Sequence, residues 1–294
     1  MEIVYRTIFS FSEGYNFRNR HICGEFRDMV PEVDPLFYLD CLCKDGRAHE
    51  IEFNGTIVEE AIRLDYINIL QCSDKKYIPG DACIRAAVFG NLEVLKWART
   101  NGCIWDQATC GFAAKSGNLE LLQWARANGC PWDEGTFSGA AYSGNMEMLQ
   151  WVRSQGCPWD EYTCIEAAEA GNLEVLQWVR SLHCPWNERV FTVAAYNGHV
   201  EILKWAHDNG CPRDKDVCHS AAHSGQLEVL KWARSKGYGW NCEICSWAAS
   251  HGHLEMLQWA RTNGCPWDGC VYSGALWNGH TELLEWALAN GCPK

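Results

Sequence analysis

The chain has 294 residues and a net charge of −12, and it is rich in cysteine and tryptophan, with 18 and 16 residues. Binding to nucleic acid or to an anionic membrane needs clustered positive charge, and the longest basic run is Lys75-Lys76. No apolar run approaches the ~18 residues that span a bilayer, and residues 1–14 do not resemble a secretory signal. We therefore expect a cytoplasmic protein without membrane or nucleic-acid partners, whose cysteines are mostly thiols; the sequence does not exclude the nucleus.

Residues 1–55 are predicted to form a small helical N-terminal region. Three of its segments are IFSF at 8–11, NFRNRHICGEFRDMV at 16–30 and VDPLFY at 33–38. Together they resemble an F-box, which has an Ile/Leu-rich first helix, an aromatic-Arg-Asp third helix and a terminal Asp-Pro, although the usual leucine-proline start is absent. This resemblance implies a ubiquitin-ligase adaptor as a partner of residues 1–38. The alternative is a helical cap that shields the first repeat.

Residues 56–80 are predicted to form a degenerate capping repeat. The segment AIRLDYINILQC at 61–72 aligns with AAVFGNLEVLKW at 86–97, which lies in the first regular repeat. Repeat arrays need atypical terminal units to cover the apolar surface of the last regular one. We therefore expect this segment to close the N-terminal end of the array.

Residues 81–294 form eight repeats of 27 residues, the last of them cut short. One glycine recurs at this spacing, at Gly90, Gly117, Gly144, Gly171, Gly198, Gly225, Gly252 and Gly279. One tryptophan does the same, at Trp97, Trp124, Trp151, Trp178, Trp205, Trp232, Trp259 and Trp286. Eight units in register predict an array of stacked structural repeats.

Each repeat is predicted to form two short helices. The first contains an alanine pair, such as Ala167-Ala168, and ends at the periodic glycine, which can take the left-handed conformation that closes a helix. Asparagine, histidine or, once, glutamine follows as the N-cap of the second helix. The second helix has apolar residues at helical spacing, with Lys96 and Arg99 pointing to solvent in the first repeat. We expect the eight helix tryptophans to form a continuous internal ladder that is the main stabilising element.

Two segments resemble ankyrin repeats: AAKSGNLELLQWARANGC at 113–130 and AAYNGHVEILKWAHDNGC at 194–211. They share the paired alanine, the Gly-Asn/His turn and the aliphatic second helix of that family. The period is shorter than the 33 residues of the family. The resemblance implies an all-α helix-turn-helix repeat solenoid with shortened hairpin fingers. The Trp-rich form is similar to repeats of large DNA viruses of amoebae and of some protists and algae, which would place a viral protein in the host cytoplasm.

Two positions of the first helix vary most between repeats, and they lie three residues apart on one helix face. We call these two rows the variable stripe. The ankyrin resemblance implies that this helix lines the concave, partner-binding face. The predicted partner-binding residues are Arg85, Val88, Phe112, Lys115, Tyr142, Glu166, Glu169, Tyr196, His223, Trp247 and Trp277. The aromatic residues Tyr142, Tyr196, Trp247 and Trp277 are the expected anchors, because aromatic side chains dominate binding hot spots.

The periodic cysteines are predicted to be structural thiols. In one row cysteine alternates with aromatic residues, which indicates a buried apolar slot. The alternating residues are Phe137, Phe191 and Tyr272. A zinc site is the alternative at Cys242-x-x-Cys245 with His251 and His253, because two thiols and two imidazoles can bind zinc tetrahedrally. Cys245 and His253, however, occupy ordinary repeat positions, so no metal site is predicted.

The sequence predicts a non-enzymatic protein–protein interaction module that has no cofactor and no catalytic residue. It contains no P-loop, no dinucleotide-binding glycine pattern and no metalloprotease motif. One alternative is an F-box/ankyrin substrate receptor of a cullin-RING ubiquitin ligase. A less favoured alternative is a zinc-binding protein or an enzyme. The partner itself is not identified by the sequence.

Overall fold

The computed structural model describes residues 34–294, which contain nineteen α-helices and no strand. Residues 1–33, with most of the F-box resemblance, lie outside the described residues. The chain divides into two compact units, which meet in sequence at Trp132 and Asp133. In residues 34–294, no helix is both long and apolar enough to cross a membrane.

The first unit contains seven described α-helices and two short 3₁₀ helices, Ala48–Glu50 and Lys75–Tyr77. The α-helices are α1 Pro35–Lys44, α2 Gly55–Leu64, α3 Ile67–Cys72, α4 Ala82–Phe89, α5 Leu92–Thr100, α6 Gln107–Lys115 and α7 Leu119–Ala127. Helices α2, α4 and α6 pack in sequence as one row, and α3 packs against α5. This arrangement is a stack of helix pairs.

The second unit contains six helix pairs. They are α8 Glu134–Ser143 with α9 Met146–Ser154, α10 Glu161–Glu169 with α11 Leu173–Ser181, α12 Arg189–Tyr196 with α13 Val200–Asp208, α14 Val217–Ser224 with α15 Leu227–Ser235, α16 Cys242–Ser250 with α17 Leu254–Thr262, and α18 Gly269–Trp277 with α19 Thr281–Ala289. The first helix of each pair packs against the first helix of the next pair. Short segments without strands, such as residues 182–188, connect the pairs.

Helices α2 and α3 form a pair whose turn resembles that of the regular repeats. Asp65, which aligns with Gly90, takes a left-handed conformation with φ 63°, compared with 74° at Gly90. The Nδ2 atom of Asn91 donates hydrogen bonds to the carbonyl oxygens of Ile62 at 2.7 Å and Arg63 at 3.1 Å. These bonds join the pair α2–α3 to the first regular repeat.

The core consists of small and aliphatic residues rather than of tryptophan. In the repeat of α10 and α11 it contains the pair Ala167-Ala168 together with Val175, Leu176 and Val179, all buried. The expected internal tryptophan ladder is wrong for seven of the eight positions, since only Trp232 is buried. The helix tryptophan, Trp178 in this repeat, lies at the edge of the buried helix face, and its large ring extends past the core.

The half-buried tryptophans instead join stacks that link successive repeats. In the second unit, the guanidinium of Arg180 lies 4.1 Å from the ring centre of Trp186, which meets the ring of Trp205 edge-on at 5.6 Å. Arg180 also donates a hydrogen bond to the carbonyl of Cys184. Arg99 occupies the same position in the first repeat, and its guanidinium likewise lies 4.1 Å from the ring centre of Trp105. The prediction that Arg99 points to solvent is therefore wrong.

The periodic cysteines are free thiols, and they are buried in almost every repeat. Burial raises the pKa of Cys83 and of Cys211 to about 12. The slot is not purely apolar, because the thiol donates to a backbone carbonyl, as from Cys184 to Asp160 at 3.3 Å. Buried thiols have little access to a substrate or a metal ion, so these positions serve packing.

Both turns of the repeat use left-handed residues. The glycines that close the first helices all have positive φ, between 73° at Gly144 and 81° at Gly198. The turn after the second helix also contains a left-handed glycine, as at Gly156 with φ 71°. In one repeat, however, this second turn is occupied by His183, with φ 65°.

Replacing His183 with glycine is expected to stabilise the protein by up to about 1 kcal/mol. The left-handed conformation costs a residue with a Cβ about 1–2 kcal/mol, which exceeds the entropy that glycine gains in the unfolded chain. His183 is exposed, so no packing is lost. The midpoint of thermal unfolding should rise, whereas the control Ser181→Gly, at the end of α11, should lower it. A lower midpoint for His183→Gly would contradict this assignment.

Candidate protein-binding surface

The first helices position the variable stripe beside the most tightly packed part of each repeat. In α16, Trp247 directly precedes the buried pair Ala248-Ala249, whose small side chains let neighbouring first helices approach closely. Because the alanines face the neighbouring helices, the side chains beside them project out of the helix row. The stripe is therefore held on a rigid support.

The structure exposes some predicted binding residues more than others. Those with exposed side chains are Val88, Phe112, Tyr196, Trp247 and Trp277. Those that are half-buried are Arg85, Lys115, Tyr142, Glu166, Glu169 and His223. Trp277 is the most exposed of the large apolar residues described, at 83% of its full accessible area. All eleven side chains retain accessible surface.

In the first unit, the stripe is short and mostly aliphatic or charged. Val88 and Phe112 are 43% and 40% exposed, an ordinary amount for single surface residues. The guanidinium of Arg85 pairs with Asp81 at 2.8 Å and with Glu59 at 3.5 Å. Arg85 is therefore held by its own unit, and it contributes less free charge than the sequence pattern predicts.

In the second unit, the stripe brings aromatic rings together. The ring of His223 lies 5.5 Å from that of Tyr196 and 5.1 Å from that of Trp247. His251, the C-cap of α16, stacks on Trp247 at 5.5 Å and lies 4.4 Å from His223. His251 was not predicted as a binding residue, because it follows the helix and lies outside the two variable rows.

A cavity of about 490 Å³ opens beside these rings. Its lining consists of Tyr196, His223 and Trp247 together with Asp216, His219, Ser220 and Glu243. The acidic residues come from the N-terminal ends of α14 and α16, where the sequence pattern varies without an obvious motif. The variable stripe thus contains a concave, partly apolar site in its second unit.

A protein-family model matches the part of the chain that contains most of this cavity's lining. Residues 218–261, which extend from α14 to α17, match the family model of ankyrin repeats that occur in many copies. Residues 218–261 are therefore identified as ankyrin repeat sequence. The resemblance predicted from sequence is confirmed, and the fold is the predicted all-α array of helix pairs. A search of curated proteins found no match to the chain.

In several helix pairs, the residue before the second helix links neighbouring repeats. As predicted, Asn118 and Asn145 act as N-caps, accepting hydrogen bonds from the backbone amides of Leu121 and Met148 at 3.0 Å. In the other six repeats, including that of His253, the side chain at this position makes no such cap, so the prediction is wrong there. The Nε2 atom of His253 instead lies 3.3 Å from the carbonyl oxygen of His223, one repeat earlier. This contact ties the carboxyl end of α14, which carries the stripe, to the next repeat.

Stability is expected to fall as the pH is lowered from about 7 to 5, in part through His253. Burial is the main cause that holds the pKa of His253 below its ordinary value, and it outweighs the opposing effect of the hydrogen bond to the carbonyl of His223. The unfolded chain binds more protons near pH 6, so the stabilisation is complete above about pH 6.5 and is lost as the pH falls through the folded pKa. His253→Asn, which restores the asparagine of other repeats, should flatten the pH dependence of thermal unfolding. An equally steep dependence in both proteins would contradict this assignment.

The possible zinc ligands are not arranged around a common point. Cys245 is buried inside the repeat, and Cys242 is half-buried at the start of α16. His251 stacks on Trp247, and His253 contacts a backbone carbonyl. Within residues 34–294, no group of three or more His, Cys, Asp or Glu side chains is positioned to hold a metal ion.

Proposed function

We propose that this chain is a non-enzymatic interaction module whose ankyrin repeats bind a partner protein through the variable stripe. The observation that carries the proposal is the group of exposed, non-periodic aromatic residues Tyr196 and Trp247 around an open cavity. A packing role would favour the same residue in every repeat. Side chains that differ between repeats and remain accessible are typical of a recognition surface.

The test is affinity purification from the source cell followed by mass spectrometry. A triple variant that replaces Tyr142, Tyr196 and Trp247 with alanine should lose the captured protein, while its melting temperature stays within about 5 °C of the wild type, because these side chains lie outside the core. A matched control removes three large side chains elsewhere: Ile104, Tyr162 and Leu182, which are 77%, 46% and 37% exposed. Equal capture by both triple variants would overturn the assignment of the surface.

The second candidate function is that of an F-box/ankyrin substrate receptor of a ubiquitin ligase. It rests on the F-box resemblance, together with a helix that begins within the last segment of that pattern, VDPLFY at 33–38. Asp34 accepts a hydrogen bond from the backbone amide of Leu36 at 2.9 Å, and Pro35 is the first residue of α1. Deleting residues 1–33 keeps this cap, and it should abolish capture of the cullin adaptor while leaving the stripe partner bound. Failure of the full chain to capture the adaptor would exclude this candidate.

A further inference from the structure

The cavity beside the stripe combines aromatic faces with negative charge. Tyr196 and Trp247 remain 47% and 41% exposed, so parts of their rings face solvent. The same cavity is lined by Asp216 and Glu243, which lie at the N-terminal ends of their helices. Its described lining contains two acidic residues and no lysine or arginine. An aromatic face attracts a cation through its quadrupole, and a carboxylate attracts it by its charge.

The acidic side of the cavity is held in place by a histidine. Nε2 of His219 lies 2.7 Å from the carboxylate of Glu243, and Nδ1 lies 3.7 Å from that of Asp216. Asn241 also donates a hydrogen bond to Glu243 at 3.1 Å. Hydrogen bonds from Asn241 and His219 hold the pKa of Glu243 below its ordinary value, so this carboxylate is ionised at neutral pH.

We propose that this cavity binds a basic side chain, lysine or arginine, presented by the partner protein, with its alkyl stem against Tyr196 and Trp247 and its charged end toward Glu243 and Asp216. The proposal rests on the protein-binding function proposed above. The volume of 490 Å³ lies within the range of about 300–1,000 Å³ typical of ligand pockets. The net charge of −12 adds a long-range attraction for basic segments.

An acidic side chain is a poor occupant of this cavity, because it would meet two carboxylates. A purely apolar side chain would use the aromatic wall but would leave Asp216 and Glu243 partly desolvated without a partner, which is unfavourable. A basic side chain has both an apolar stem and a charged end, and it therefore satisfies both walls at once.

The experiment begins with phage-displayed random heptapeptides selected on the full-length protein. We expect most selected peptides to carry lysine or arginine at one shared position. One such peptide is then synthesised with lysine at that position and, as a neutral analogue of similar length, with norleucine. Calorimetry should give the lysine peptide at least a tenfold lower Kd on the wild-type protein, the ratio expected for one charge-assisted, partly desolvated contact.

Three variants locate the effect within the cavity. Glu243→Gln should reduce the lysine-to-norleucine ratio to less than about threefold, and Asp216→Asn provides a second acidic variant if the first is poorly folded. Glu255→Gln is the matched control, because it removes the same charge at an exposed position of α17, away from the cavity lining. An equal reduction with Glu255→Gln would show an effect of net charge only and would overturn the proposal.

Different results would overturn the cation site and the protein-binding surface. Selected peptides that bind through Trp247 but show no basic preference, or that bind equally with norleucine, would overturn the cation site and leave the interaction surface intact. Binding that is unaffected by Trp247→Ala and by the stripe triple variant would overturn the surface itself.

Discussion

Leu176→Ala is expected to lower the free energy of unfolding by about 2–5 kcal/mol, the usual cost of truncating a fully buried leucine. Leu176 lies in α11 with no accessible surface, next to the buried Val175. Helix α11 packs against α10, which is itself packed against the neighbouring first helices, so we expect the cavity to remain partly unfilled. Thermal and urea unfolding, followed by circular dichroism, measure the loss.

The control for Leu176 lies six positions along the same chain segment. Leu182, the C-cap of α11, is 37% exposed, and Leu182→Ala should cost less than about 1 kcal/mol. A similar cost for both substitutions would contradict the location of the core in the aliphatic rows. That result would favour the helix tryptophans as the main source of stability.

Trp186→Ala is expected to cost about 2–4 kcal/mol, although Trp186 is only half-buried. The substitution removes the contact with Arg180 at 4.1 Å and the edge-on contact with Trp205 at 5.6 Å. Since Trp205 belongs to the next repeat, the lost energy is coupling between repeats. Hydrogen exchange should therefore show faster opening of α12 and α13 than in the wild type, together with a lower unfolding midpoint.

Two matched variants separate the parts of this stack. Trp186→Phe keeps an aromatic ring and should recover at least half of the loss, whereas Arg180→Lys keeps the charge but lacks the planar guanidinium and should cost about 1 kcal/mol. Two repeats lack this arginine and tryptophan: the last one has Leu288 and Lys294 at these positions, and the other is the repeat that contains α13. His207 and Arg213 replace the arginine and the tryptophan, and there the ring of His207 meets that of Trp232 at 5.9 Å. If Trp186→Ala lowers the free energy of unfolding by less than about 1 kcal/mol, the stacks contribute little to stability.

The helix pairs and their turns could be predicted because they depend on residues close in sequence. The recurring glycines specify left-handed turns, and the aliphatic spacing specifies the buried face of each second helix. Both predictions are confirmed, as at Gly144 and at Leu176. Where the glycine is replaced, as at His183, the backbone still follows the repeat.

The contacts between repeats could not be predicted in the same way. The bond between Asn118 and the carbonyl of Gly90 depends on how two repeats pack, and an asparagine before a helix fits an N-cap equally well. Arg99 looks solvent-exposed on a helical wheel, because the wheel does not include the turn that returns Trp105 to its side. The place of His251 in the aromatic cluster also depends on two neighbouring repeats.

Hydroxyl-radical footprinting of the full chain, with and without its captured partner, shows whether the partner binds through the variable stripe. Both Tyr196 and Trp247 are exposed in the structure, so the free protein should be oxidised at each of them. We expect the partner to lower oxidation of these two residues severalfold and to leave Tyr162, which lies outside the stripe, unchanged. Protection of Tyr162, with Tyr196 and Trp247 still fully reactive, would contradict binding through the variable stripe.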